Sequence, residues 1–282
     1  MFVLRTVLGS ALLTGLVLTG CDGNGALPPD RPLYEGEEEV PLDCIPNLDG
    51  VIDAQELPLV LGAEITYLVS PPGELRTVDI EGAGEGTTRG WDWSIDQADD
   101  QLARISAFST EDRWYADRFP PDAFVAPFDD GGSTETISRR DDEGLYVLGI
   151  ASREPDPPTG RTLLIYDEPI SLIRFPIETG TKYSSSANVE DAVFNGIPYA
   201  ARDTYEVEVS AVGELRLPTL TFSQAHQVRV QLTIEPALGE TTSVRQVSYF
   251  FECFGEVARA TSQLGELDPN FTEAAEVRRL GY

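Results

Sequence analysis

The chain has 282 residues, with 20 Lys and Arg against 48 Asp and Glu, a formal net charge of −28 at pH 7. A surface this acidic repels phosphate backbones, which argues against nucleic acid as a partner. The length suits one large β domain or two small ones, and it provides a sizeable core without a covalent staple.

The first segment, residues 1–20, places Arg5 ahead of an apolar run from Thr6 to Leu18. That run falls short of the roughly 20 residues a membrane-spanning helix needs. It has the charged start and apolar core of about 7–15 residues expected of a secretory signal. It ends in Leu18-Thr19-Gly20-Cys21, which resembles the lipobox of bacterial lipoproteins. The resemblance implies cleavage before Cys21, acylation of Cys21, and a mature chain held at a membrane by its N-terminal lipid. Several acyl chains make such an anchor stable where one would be marginal. Asp22 resembles an inner-membrane retention signal of a bacterial sorting rule that varies among species. The expected location is the bacterial cell envelope, with inner membrane, outer membrane and surface all open.

Residues 21–42 are Gly, Pro and acid with few apolar side chains, including Glu37-Glu38-Glu39. That composition predicts a lipidated, disordered tether. With Cys21 assigned to the lipid, Cys44 and Cys253 remain as an even pair in an oxidising compartment. Neither has a basic neighbour in sequence that would mark a reactive thiol, since Cys44 follows Asp43 and Cys253 follows Glu252. A Cys44–Cys253 disulfide is expected.

Residues 43–58 contain Ile45-Pro46-Asn47-Leu48-Asp49-Gly50-Val51-Ile52-Asp53-Ala54-Gln55-Glu56. The run resembles the twelve-residue calcium loop of EF-hand and dockerin-type modules, in which oxygens recur on a curled backbone around a hard cation. The resemblance implies Asn47, Asp49, the Val51 carbonyl, Asp53 and Glu56 as ligands, with Gly50 at the sharp turn. Ile45 stands where the pattern has its first Asp, followed by a Pro, so one ligand and one charge are missing. Two readings follow: a weak Ca²⁺ site, or a metal-free Asp-Gly turn leading into the β domain.

Residues 59–282 read as antiparallel β. Tyr205, Val207, Val209 and Ala211 alternate with polar residues, as do Val228, Val230, Leu232 and Ile234. Val247, Tyr249 and Phe251 continue the pattern. Period-2 alternation of this kind predicts strands with one face on a core. Earlier strands are predicted at 63–69, 75–80, 102–108, 144–151, 162–166 and 170–175, and one short helix at 272–280. The fold class is all-β, antiparallel sheet or sheets, arranged as a sandwich or an open half-barrel. The run Arg174 to Thr181, the meander after it and the run Phe250 to Ala258 resemble β-rich envelope proteins, some similar to periplasmic lipid carriers of the LolA/LolB type. That likeness spans roughly residues 170–262. It implies a concave sheet able to hold a ligand and transfers no functional residue.

Catalytic patterns are sparse. The single His226 excludes a two-histidine metal site, and at the head of a strand it is expected to be a surface or edge side chain. Lys182 beside Ser184-Ser185-Ser186 has no spacing that means a catalytic dyad, and Gly82, Gly84 and Gly86 read as a turn. Trp91-Asp92-Trp93 places two indoles on one face of an extended segment, where they either stack on a sugar or cover a core. The first functional reading is a non-enzymatic, lipid-anchored binding or structural module, with an apolar ligand in a curved sheet. The alternative is a carbohydrate-binding or surface-interaction module using Trp91 and Trp93, and a glycan-directed hydrolase comes third. The partner is accordingly a small molecule, a glycan or a protein.

Overall fold

The computed structural model describes residues 44–128 and 132–281. Cys21, the signal segment and the tether lie outside the described residues. The first strands are β1 (Val51–Ile52), β2 (Ile65–Val69), β3 (Arg76–Thr77), β4 (Thr88–Asp92), β5 (Gln101–Ile105) and β6 (Phe108–Ser109). There follow β7 (Phe124–Pro127), β8 (Thr134–Arg140), β9 (Gly144–Ser152), β10 (Leu163–Arg174), β11 (Ile177–Glu178) and β12 (Lys182–Phe194). The last five are β13 (Ile197–Arg216), β14 (Thr221–Pro236), β15 (Thr242–Phe251), β16 (Gly255–Ser262) and β17 (Glu273–Leu280). The fold is all-β, and its only described helical pieces are the 3₁₀ turns Ala54–Glu56 and Ala116–Arg118.

One large sheet carries the order β5-β2-β17-β16-β15-β14-β13-β12-β10-β9-β8-β7-β6, with β3 added to β17 and β4 to β13. Its pairs are antiparallel except β4, which runs parallel to the second half of β13. Gly213 makes that approach possible, because a Cβ there would lie 1.7 Å from the Arg89 carbonyl oxygen. The sheet is open: β5 pairs with β2 and β6 with β7, and only Ser106-Ala107 join β5 to β6. The chain thus crosses from one sheet edge to the other in two residues, which draws the ends together.

The curled sheet buries both of its faces. Inside lie Ile52, Val147, Leu164, Ile170, Val207, Val228 and Phe250. On the outer face of β13–β17, Val78, Ile80, Trp91, Trp93, Tyr249 and Phe271 form a second core under the 78–93 segment. On the outer face of β7–β9, Tyr115, Val125, Ile137 and Leu148 form a third, capped by Trp114 and Phe119. This explains why Val247, Tyr249 and Phe251 alternate with Ser248 and Phe250, an aromatic as large as theirs. The first three residues face the outer core, and Phe250 faces the inner one.

Two expectations are corrected. The predicted helix at 272–280 is strand β17, hydrogen-bonded to β16 on one side and β2 on the other. Its Ala and Glu favour helix, and Ala274 and Val277 mimic helical spacing. A bulge in the β16–β17 ladder is the reason: it shifts the register between Thr261 and Ser262 and puts both residues in one core. A second bulge, between Val209 and Ala211, sends Val209 to the inner core and Ala211 to the outer one. Period-2 reading put them on the same face.

Candidate functional site

Segment 44–57 is a strap across the β15–β16 turn and the head of β14. Ile52 and Leu57 enter the inner core, and β1 pairs with β11. Cys44 is bonded to Cys253, with Cα atoms 5.6 Å apart and a sequence separation of 209. Cys253 N–H donates to the Glu56 carbonyl at 2.7 Å. The Glu252 carboxylate, 2% exposed, accepts from the backbone N–H groups of Asn47 (2.6 Å) and Leu48 (2.9 Å). His226 donates from Nε2 to the Gly50 carbonyl at 3.0 Å. It is fully buried, where the sequence suggested an exposed imidazole; the strap is what covers it.

The calcium-like motif lies in this strap, and its oxygens serve the strap itself. Asn47 Oδ1 accepts from Asp49 N–H at 2.8 Å, and Asp49 Oδ1 from Val51 N–H at 3.1 Å. Glu56 accepts from Asn47 Nδ2 at 2.5 Å and from Asp53 N–H at 2.9 Å. Val51 belongs to a ladder with Glu178. Among the described residues no group of three or more His, Cys, Asp or Glu side chains is arranged to hold a metal. The side-chain oxygens of Asn47, Asp49 and Glu56 are thus engaged in hydrogen bonds within the strap, and Val51 in its ladder with Glu178.

Trp91 and Trp93 are corrected as a sugar platform, being 1% and 6% exposed. Their indoles flank Tyr249 edge-on at centroid distances of 4.9 and 5.0 Å. Trp91 Nε1 donates to the Ile80 carbonyl and Trp93 Nε1 to the Asp79 carbonyl. Gly82, with φ +67°, lies so close under Trp91 that a Cβ would come within 2.6 Å of the ring. A stacked sugar needs an open aromatic face, and these faces are spent on the outer core.

The cavity inside the curled sheet is the candidate site. About 370 Å³ in volume, it is lined from both halves of the sheet, by Tyr67 and Ile105 on β2 and β5 and by Phe124, Ala126, Pro127 and Phe128 on and after β7. β5 and β7 share no ladder, and Phe128, which lines the cavity, is 54% exposed. The chamber therefore opens sideways where the sheet fails to close. One wall is apolar, with Leu145, Val147, Ile150, Leu172, Val230, Leu232 and Val244. A smaller cavity of about 160 Å³ shares Leu145, Leu172, Val230, Gln246, Glu256 and Arg259 with it. The facing wall, on β16 and β17, carries charge. Arg259 donates to both oxygens of Glu256 at 2.9 and 2.7 Å, and Arg278 pairs with Glu276 at 2.5 Å. None of these four residues stood out in the sequence, and for Glu276 and Arg278 a helical reading of 272–280 hides that they face inward. The only usable signal was Glu256 and Arg259 at strand positions beside apolar ones.

Asp203, two residues from the chamber-lining Tyr205, is a buried carboxylate with no ion-pair partner among the described residues. Asp203 is 7% exposed; its Oδ2 accepts from the Tyr166 hydroxyl at 2.6 Å, and its Oδ1 has no partner. Burial raises its carboxyl above the ordinary carboxylate range, offset in part by the Tyr166 hydrogen bond. Burial also pushes the hydroxyl of Tyr205, which lines the chamber, up to about 12. A raised folded value means that the folded state holds the proton more tightly than the unfolded chain. Its stabilising effect is complete below the unfolded pKa of about 3.9 and is lost as pH rises through the folded value. Asp203→Asn is thus expected to raise stability by about 1 kcal/mol at pH 7, the gain shrinking towards pH 4. Urea unfolding at the two pH values checks this, and a loss of stability at pH 7 would show that the charge is satisfied.

No family model and no curated protein matches the chain. A solved structure from Bacteroides fragilis, a protein of YmcC-like fold inferred to be exported, is similar at 11% identity and a TM-score of 0.28. The match covers 79% of this chain and 96% of that one, and at this level it assigns neither fold nor function.

Proposed function

We propose that this chain is an exported envelope protein, anchored through a lipid on Cys21, that acts by holding an apolar ligand in the chamber of its curled sheet. The observation that carries the reading is the chamber itself. Its volume falls within the roughly 300–1,000 Å³ of small-molecule sites, its lining is mostly apolar with a few convergent polar groups, and it opens at one seam. Apolar surface left in contact with water inside a folded protein is costly unless something covers it. The strap supports the reading from the other side, closing the inner core at the N-terminal end of the described residues.

The test is uptake of N-phenyl-1-naphthylamine, a neutral dye that brightens in apolar surroundings. The full chain should enhance its fluorescence saturably, and Leu232→Trp, which fills the chamber, should cut the enhancement at least tenfold without changing the fold by circular dichroism. No enhancement, or enhancement that survives Leu232→Trp, removes the chamber as a ligand site. The anchor is read separately by intact mass: a mature chain beginning at any residue other than Cys21, or at an unmodified Cys21, ends that part of the proposal.

A further inference from the structure

The chamber's two walls differ in kind, and the charged one is built rather than incidental. Arg259 and Arg278 are direct cross-strand partners in the β16–β17 ladder. Like charges in that position repel, and inside a curled sheet neither side chain escapes far into water. Each is instead held by a carboxylate on its own strand, Glu256 for Arg259 and Glu276 for Arg278. Burial works to lower the affinity of Arg259 for its proton, but Glu256 and then Glu276 more than offset this, so Arg259 remains a cation. Its Nε and Nη2 are committed to Glu256 in a bidentate fork. That fork fixes the guanidinium plane. Nη1 takes no part in that fork, and Arg259 lines both cavities together with Leu145, Leu172 and Val230.

Resting on the ligand-chamber reading, we infer that the ligand is an amphiphile with an anionic oxygen head, a carboxylate or a phosphate. Its head accepts hydrogen bonds from Arg259 Nη1, and its apolar chain lies along Leu145, Val147, Leu232 and Val244 towards the seam at Phe128. A planar guanidinium already oriented by a bidentate partner loses little further freedom on taking such a head. The neighbouring Arg278 adds a second positive charge across the strand. A neutral oxygen head would accept the same hydrogen bond without charge assistance, and such a bond is roughly half as strong. A cationic head would meet two guanidinium groups, and the two carboxylates beside them, Glu256 and Glu276, are already committed to those groups.

Displacement of N-phenyl-1-naphthylamine from the full chain tests the head group, with four probes of equal chain length: dodecanoate, dodecyl phosphate, dodecanol and dodecylamine. Dodecanoate and dodecyl phosphate should displace the dye at concentrations at least tenfold lower than dodecanol, and dodecylamine should be the weakest. Arg259→Met should bring the two anions to the level of dodecanol while leaving dodecanol unchanged. Arg259→Lys, which keeps the charge and the Glu256 pair, should retain part of the preference and serves if the Met variant fails to fold. Equal displacement by anions and alcohol in the unaltered chain overturns the inference while the chamber stands. Dye that never binds overturns the chamber reading, and the inference with it. Carboxylate and phosphate sources are told apart by which of the two anions displaces at the lower concentration.

Discussion

Replacing Cys44 and Cys253 by Ser is expected to lower the unfolding stability of the chain by up to about 5 kcal/mol, the chain-entropy value for a loop of this size. The bond joins residues 209 apart, so almost the whole described chain lies in the loop it closes, and the unfolded state is what it constrains most. The folded state loses as well. Without the bond, the strap depends on Ile52 and Leu57 in the inner core and on hydrogen bonds to Glu252, His226 and Gln224. If it frays, the Glu252 carboxylate loses both backbone donors and His226 loses its acceptor, each a buried polar group left unmet. Urea unfolding of the double variant, and of the unaltered chain with and without reductant, measures the effect. A midpoint that does not move would show that the two cysteines are free or that the loop entropy is offset.

Glu135→Ala is expected to cost about 3–5 kcal/mol, the range for breaking a buried ion pair from one side. Glu135 is buried on β8 and takes Arg113 in a bidentate pair at 2.8 and 2.7 Å, with the Tyr115 hydroxyl on the same carboxylate at 2.5 Å. Arg113 and Tyr115 stand on the segment that caps the third core. Removing the carboxylate leaves a guanidinium and a phenol without their acceptor beneath Trp114 and Phe119. The double variant Glu135→Leu with Arg113→Leu should recover much of the loss, because two apolar side chains carry no unmet charge. Unfolding midpoints decide it: a Glu135→Ala protein as stable as the parent would mean that Arg113 finds water at no cost.

The fold was legible where a strand buries one face only or repeats its alternation without interruption. Residues 205–209 and 228–234 are such stretches, and both are strands. Segments 162–166 and 170–175 read as two strands because Asp167-Glu168-Pro169 looks like a turn; they are one strand, β10, with a register shift between Ile165 and Ile170. Strand β4 escaped notice because Gly90 and Arg89 give it no alternation, and what stabilises it is a close parallel approach to Gly213 that no local pattern encodes. The candidate site was less legible still. A concave sheet was expected from the resemblance, but which side chains face inward depends on the bulges near Val209 and Thr261, which reverse the phase of β13 and β17. The two tryptophans drew the sequence reading outward because aromatic residues two apart suit a binding platform and a core equally well. Only the position of Tyr249 between them decides for the core.

Native mass spectrometry of the full chain, taken from membranes in mild detergent, reads directly whether the chamber holds a ligand. A non-covalent adduct of constant mass is expected on the chain, lost in Leu232→Trp and released on unfolding as an amphiphile with an apolar chain. A chain that flies without an adduct from every mild detergent, and that carries none after incubation with membrane lipid extract, would contradict the claim that the curled sheet is a ligand chamber.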